Sequence, residues 1–192
     1  MDVNARIAQR VRELRDAQNF SLDVLAKRSG VSRSNISLIE RAESSPTAVV
    51  LDKLATGLGV TVASLFEDGQ ITVEPSPVAR AAEQLTWTDP ASGYTRRNLS
   101  PTARSPIQLV EVVFPAKQRV AYDTPLREVE VHQQIFMTEG IMEITLGQAK
   151  WRLRIGDCLA MRLDGPTVFR NPTRKRARYL VALTSSASVR RN

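Results

Sequence analysis

The hydrophobic pattern of the chain changes once, between residues 67 and 77, and this change limits the possible folds more than any other feature. Before it, apolar residues recur at spacings of three and four, which indicates helices with one buried face. From about residue 78, β-prone runs such as "IQLVEVVF" and "RYLVALT" alternate with turn sequences such as "TEG", "LGQ" and "NPT". The pattern predicts an α-helical domain followed by a β-rich one.

The expected fold class is therefore α + β with two domains. We predict a helical domain over residues 4–66, a linker over 67–77, a β-domain over 78–184 and a frayed tail over 185–192. A chain of 192 residues with 42% hydrophobic content is long enough for two small cores.

Five helices are predicted in the first domain. Ile7, Val11 and Leu14 mark the buried face of the first. Gly30 supplies a turn between the second and third, and the fifth is short and ends near Phe66. The residues expected to begin the other helices are Ser21, Ser32, Thr47 and Thr61, all good N-caps.

The segment "SLDVLAKRSGVSRSNISLIE", residues 21–40, predicts a helix, a turn and a second helix that can enter the major groove of DNA. Ile36 and Ile39 must face the core, so the polar residues between them project outward. Arginine can bond guanine in a fork and leucine can touch a thymine methyl. The predicted DNA-contacting residues are Ser21, Ser32, Arg33, Ser34, Asn35, Ser37, Leu38, Arg41 and Thr47. Periodicity alone leaves open a helical bundle with a merely solvated polar face.

Residues 6–66 resemble the Cro/C1-type helix-turn-helix of the Xre family of bacterial regulators. The resemblance is carried in order by "RIAQRVRELR", "LDVLA" after Ser21, "SGVSRSNISLIER" and "SSPTAVVLDKLATGLGV" followed by "LF". Two positions depart from the family pattern. Leu22 stands where many members have Gln, and Ala42 replaces the usual Gly of the turn after Glu-Arg.

Residues 78–184 resemble the small cupin (jelly roll) β-barrel that many Xre regulators carry at the C-terminus. Gly156 and Asn171 open and close the second cupin motif at the expected spacing, but Arg162, Asp164 and Thr167 replace its Pro, Gly and His. In the first motif Gly140 fits, Gln133 falls at the Glu position, and the histidine positions fall near Leu126 or Arg127 and near Glu128 or Val129.

The resemblance implies a metal site that the chain does not complete. A mononuclear cupin uses two or three imidazoles and a carboxylate, whereas His132 is the one histidine of this sequence. His132 neighbours Gln133, so on a strand it points to the opposite face. We expect no metal ligands, no cofactor and no catalytic residues, unless Glu128, Glu130 and His132 converge in an unusual way.

A mostly apolar barrel interior with a few hydrogen-bonding groups suits an effector pocket. The residues proposed for it are Gln133, Ile135, Met137, Arg162 and Thr167, with Phe169 nearby. A simply packed core is the alternative. Arg162 either pairs with an anionic effector or only with Asp164 in the turn "RLDGPT".

The net charge of +7 does not identify the DNA-binding half, because residues 1–70 hold nine basic and nine acidic side chains. No apolar run is long enough for a membrane span, and the start "MDVNARIAQR" lacks the apolar core of a secretory signal, so a cytoplasmic protein is expected. The single cysteine, Cys158, fits a reducing compartment and is predicted to be buried in a strand.

Together these features predict a sequence-specific transcriptional regulator. The expected partners are double-stranded DNA, a small-molecule effector and a second copy of the chain, with the homodimer on a palindromic operator. Two alternatives remain open: an antitoxin-like DNA-binding protein whose barrel is only a dimer scaffold, and a cupin enzyme.

Overall fold

Four α-helices form the N-terminal domain of the computed structural model, which describes residues 2–67, 75–103, 105–123 and 129–187. The helices are α1 (Val3–Ala17), α2 (Leu22–Ser29), α3 (Arg33–Glu40) and α4 (Ala48–Gly57). Ser21, Ser32 and Thr47 cap α2, α3 and α4 through their side-chain oxygens, as predicted. Their apolar faces meet in a core that includes Ile7, Val11, Leu25, Ile36, Ile39, Leu51 and Leu54.

The predicted fifth α-helix is a single 3₁₀ turn, Ala63–Phe66, so the five-helix prediction was wrong. Gly59 adopts a φ of 67° after α4, and the backbone of Glu67 is already extended. The backbone between them bonds i→i+3, with the Ser64 amide donating to the Thr61 carbonyl at 3.1 Å. The Thr61 hydroxyl also accepts from the Ser64 amide at 3.1 Å.

The C-terminal domain consists of two antiparallel sheets preceded by a 3₁₀ helix, Ala81–Glu83. One sheet has the order β1-β2-β3-β10-β5-β8 and the other β4-β9-β6-β7. The strands are β1 (Thr86–Thr88), β2 (Thr95–Asn98), β3 (Gln108–Phe114), β4 (Arg119–Tyr122), β5 (Val129–Glu139), β6 (Met142–Leu146), β7 (Ala149–Leu153), β8 (Cys158–Arg162), β9 (Thr167–Arg170) and β10 (Ala177–Ala187).

The predicted small β-barrel is not closed, because the two sheets remain separate ladders in the described part of the chain. They pack face to face through apolar side chains, as in a jelly-roll sandwich. The pleat also overturns the prediction for Cys158. Leu159 and Met161 of β8 point into the core, whereas Cys158 alternates with them and is exposed.

The two domains are in direct contact. The ring of Phe66 packs edge-on against Trp87 of β1, with 6.0 Å between centroids. The Ala48 amide, at the start of α4, donates to Asp89 Oδ1 at 3.0 Å in a buried hydrogen bond. Strand β10 extends to Ala187, past the predicted domain end at 184, whereas linker residues 68–74 and tail residues 188–192 lie outside the described residues.

Candidate nucleic-acid interface and interdomain cavity

Helix α3 is held so that one face is buried and the other is open to solvent. Ile36 and Ile39 are 0% and 1% exposed. Gly30, the C-cap of α2, has a φ of 67°, and this left-handed backbone directs the chain from α2 into α3. The arrangement is the helix-turn-helix expected from residues 21–40.

The outward face of α3 carries the predicted base-reading side chains. Arg33, Ser34 and Leu38 are exposed, whereas Asn35 and Ser37 are half-buried. Arg33 Nε lies 3.4 Å from Asp23 Oδ1 of α2. Since both side chains are largely exposed, this ion pair contributes little to stability and can exchange for a contact with DNA.

Arg41 follows α3 and is held by short-range contacts. Its guanidinium donates to both oxygens of Glu43, at 2.9 Å and 2.8 Å, and to the Ser37 hydroxyl. The hydrogen bond from Arg41 lowers the pKa of the Glu43 carboxyl below its usual value. In the same turn Ala42 has a φ of 57°, the left-handed conformation that the usual glycine adopts without strain.

A buried ion pair, which the sequence reasoning missed, fixes the end of α3 to α1. Arg15 Nε and Nη2 donate to the two oxygens of Glu40 at 2.7 Å and 2.9 Å, and the Glu40 side chain is only 5% exposed. Arg12 donates to the Glu40 carbonyl at 3.0 Å. The hydrogen bond to Glu40 is the main reason that the pKa of Arg15 is raised. No signal in the sequence identifies Glu40 as the partner of Arg15, because the two residues lie 25 positions apart.

Thr47, at the start of α4, was predicted to contact DNA. The Thr47 hydroxyl accepts from the Val50 amide at 3.3 Å, and the neighbouring Ala48 amide donates to Asp89. That amide is therefore occupied by a carboxylate of the β-domain in this arrangement of the two domains.

A cavity of about 100 Å³ lies inside the sandwich and reaches the helical domain. Gln133 and Thr167, both predicted pocket residues, line it together with Phe169. Asp52 of α4 and residues 61–63 form part of its wall. We refer to this space as the interdomain cavity.

The other predicted pocket residues lie elsewhere. Ile135 and Met137 are fully buried in the core and are not among the residues that line the cavity. Arg162 is exposed and donates to Asp164 at 2.6 Å and to Glu130 at 3.3 Å. Its charge is therefore paired within the protein, with Asp164 of the same turn, and not directed at the cavity. His132 is 56% exposed and lies 3.2 Å from Glu130, facing away from the cavity as its position beside Gln133 indicated.

Comparison with known proteins agrees with this geometry. The helix-turn-helix family model HTH_3 matches residues 11–65. The HTH-type transcriptional regulator SinR of Bacillus subtilis is 33% identical over 92 residues, which are 47% of this chain and 83% of SinR. The chain belongs to the Xre-type helix-turn-helix transcriptional regulators.

The similarity also extends beyond the DNA-binding domain. The regulator SutR of Escherichia coli is 26% identical over 165 residues, which are 84% of each chain. The crystal structure of an HTH_3 family transcriptional regulator from Vibrio cholerae superposes with a TM-score of 0.74 at 24% identity, covering 95% of this chain and 96% of that one. The protein is thus a DNA-binding helix-turn-helix regulator whose C-terminal domain is built from two antiparallel sheets.

The cupin metal does not fit the residues that this regulator offers. An amide, Gln133, and a hydroxyl, Thr167, line the cavity where the resemblance would require a carboxylate and an imidazole. Within the described ranges no three His, Cys, Asp or Glu side chains are grouped to hold a metal ion. The histidine positions near Leu126 or Arg127 and near Glu128 lie outside the described residues, as does the side chain of Val129.

Sequence reasoning missed the most polar part of the interdomain cavity. Arg96 of β2 and three tyrosines, Tyr94, Tyr122 and Tyr179, line it. They come from three separate places in the chain that only the strand pairing brings together, and "YTRRN", which holds Tyr94 and Arg96, has no motif that marks them. In the part of the regulator that the structure describes, no helix is long and apolar enough to cross a membrane.

Proposed function

We propose that this protein is a sequence-specific transcriptional regulator that binds a palindromic operator as a homodimer and senses a small molecule in its C-terminal domain. The observation that carries the first part is the exposure of Arg33, Ser34 and Leu38 on a helix whose opposite face is anchored in the core. A two-fold dimer would set two such helices about 34 Å apart, one turn of B-DNA. Such a protein acts on DNA in the cytoplasm.

The sensing role is supported by the interdomain cavity. A β-domain that served only as a dimer scaffold would have a filled interior, whereas this one retains about 100 Å³ next to polar side chains. An enzymatic role is not favoured, because Gln133 and Thr167 cannot supply the ligands that cupin metal catalysis needs. We propose that the cavity binds an effector without chemical conversion.

The DNA-binding proposal is tested by selecting operators from a random double-stranded library and measuring variant affinities at fixed salt. Arg33→Ala should weaken operator binding by about 5- to 150-fold and relax specificity at one base pair, the effect of losing a forked contact to guanine. Arg41→Ala should weaken all sequences alike. Arg154→Ala, an exposed change in the β-domain, should leave affinity unchanged.

Two results would contradict the proposal. If Arg33→Ala binds the selected operator as tightly as the parent protein, α3 is not the reading helix. If sedimentation shows one chain per operator and the selected sites lack two-fold symmetry, the homodimer is excluded.

A further inference from the structure

Arg96 is the distinctive group of the interdomain cavity. It is half-buried, and among the described residues no carboxylate forms an ion pair with it. Its guanidinium instead lies over the ring of Phe66, 5.5 Å from the centroid. Desolvation by burial lowers the pKa of Arg96, but an arginine remains protonated at neutral pH. The cavity therefore contains a partly desolvated cation that pairs with no anionic group of the described residues.

Neutral hydroxyl and amide groups surround this cation. The hydroxyls of Tyr94 and Tyr122 are 3.2 Å apart. Burial raises the pKa values of Tyr94, Tyr122 and Tyr179, so all three keep their protons and can donate hydrogen bonds. The side chains of Tyr179 and Gln133 line the cavity without a hydrogen-bond partner among the described residues. A ligand with acceptor oxygens would satisfy them.

The rest of the wall is largely apolar. Val112, Val181, Leu183 and Phe169 line the cavity and offer contact to hydrocarbon but no hydrogen bond. Since an apolar cavity of about 150 Å³ accommodates benzene, a space of this order suits a molecule of only a few to several heavy atoms.

Asp52 limits the charge that such a ligand can carry. This buried carboxylate reaches the cavity from α4 and is already engaged in an interaction within the protein. A second negative group directed toward α4 would face it at low dielectric, which is unfavourable. A single anionic group at the Arg96 end of the cavity avoids that repulsion.

We propose that the interdomain cavity binds a small organic monocarboxylate whose carboxylate pairs with Arg96 and whose hydrocarbon part lies against the apolar wall. This inference rests on the proposed sensing function and specifies its ligand class. It also specifies the route to DNA. Arg96 packs on Phe66, and Asp52 and residues 61–63 form part of the wall, so a bound ligand contacts the DNA-binding domain itself. By linkage, any change that the ligand makes in operator affinity is matched by an equal change that the operator makes in ligand affinity.

The experiment is isothermal titration calorimetry of the full-length, DNA-free protein with matched probes. Propanoate, butanoate and 3-methylbutanoate are each compared with the amide and the amine of the same skeleton. We expect at least one carboxylate to bind and its amide and amine to bind at least tenfold more weakly. Arg96→Gln should weaken carboxylate binding by about 10- to 100-fold, the effect of a charged hydrogen bond. Arg154→Gln, at an exposed site, is the matched control and should not change it.

Tyr179→Phe is a second variant for the case that Arg96→Gln does not fold. It removes only a hydroxyl, so the protein should remain folded. It should weaken binding about 2- to 10-fold. The proposal is overturned if no carboxylate of the panel binds at millimolar concentration, if amides or amines bind equally well, or if a well-folded Arg96→Gln protein binds as the parent does. Operator affinity is measured separately on the same protein, so loss of DNA binding with retained Arg96-dependent titration would refute the regulator and not the ligand site.

Discussion

Replacing Arg15 with methionine should destabilise the DNA-binding domain by about 2–3 kcal/mol. The change leaves the Glu40 carboxylate, 5% exposed, without its two hydrogen bonds from Arg15 at 2.7 Å and 2.9 Å. Removing one partner of a buried ion pair usually costs about 3–5 kcal/mol. We place the value below that range because Arg15 is itself 14% exposed and Arg12 Nε remains 3.8 Å from Glu40 Oε2.

The measurement is urea denaturation followed by far-UV circular dichroism, in a double-mutant cycle with Glu40→Gln. The cycle isolates the Arg15–Glu40 coupling from the packing lost with the arginine stem. The exposed pair Arg41–Glu43, at 2.8 Å, is the control, and its coupling should be much smaller and should fade with added salt. If Arg15→Met costs less than about 1 kcal/mol, or if the Arg15–Glu40 coupling fades with salt as the control does, the pair does not anchor α3.

Three further substitutions test backbone conformations. Ala42→Gly should stabilise the protein by about 0.5–1 kcal/mol in the same denaturation assay, because alanine at a φ of 57° is strained and glycine is not; a destabilised variant would refute this. Gly140→Ala should cost about 2–5 kcal/mol, since an added Cβ would lie 2.7 Å from the backbone carbonyl oxygen of Arg176. Gly147→Ala, at a positive φ with open space around it, should cost only about 1–2 kcal/mol, and equal losses at the two glycines would exclude the close contact as the cause.

The helical domain was predictable because its determinants are local. N-caps, the turn at Gly30 and the spacing of Ile36 and Ile39 lie within a few residues of the structure they specify. The same locality explains the failure at the fifth helix. The cap at Thr61 predicted a helix. The structure instead has a single 3₁₀ turn between Gly59, which has a positive φ, and Glu67, which is extended.

The β-domain was predictable in class and less so in detail. Alternation placed Gln133 inward and His132 outward correctly, since the pleat is a local property. The prediction for Cys158 failed because β8 is a short edge strand. Which of its faces points inward depends on its pairing with β5, and this pairing leaves Cys158 exposed. Whether the sheets close into a barrel depends on pairings between distant strands, and so does the convergence of Arg96 with the tyrosines.

The contacts between the domains make α4 the element through which an effector could influence DNA binding. Its first amide donates to Asp89 of the β-domain, and its residue Asp52 lines the interdomain cavity less than two turns further on. A ligand that shifted Asp52 would displace α4 relative to its anchor at Asp89. Since α4 also packs on α2, a small displacement at the cavity would change the placement of the helix-turn-helix on its operator.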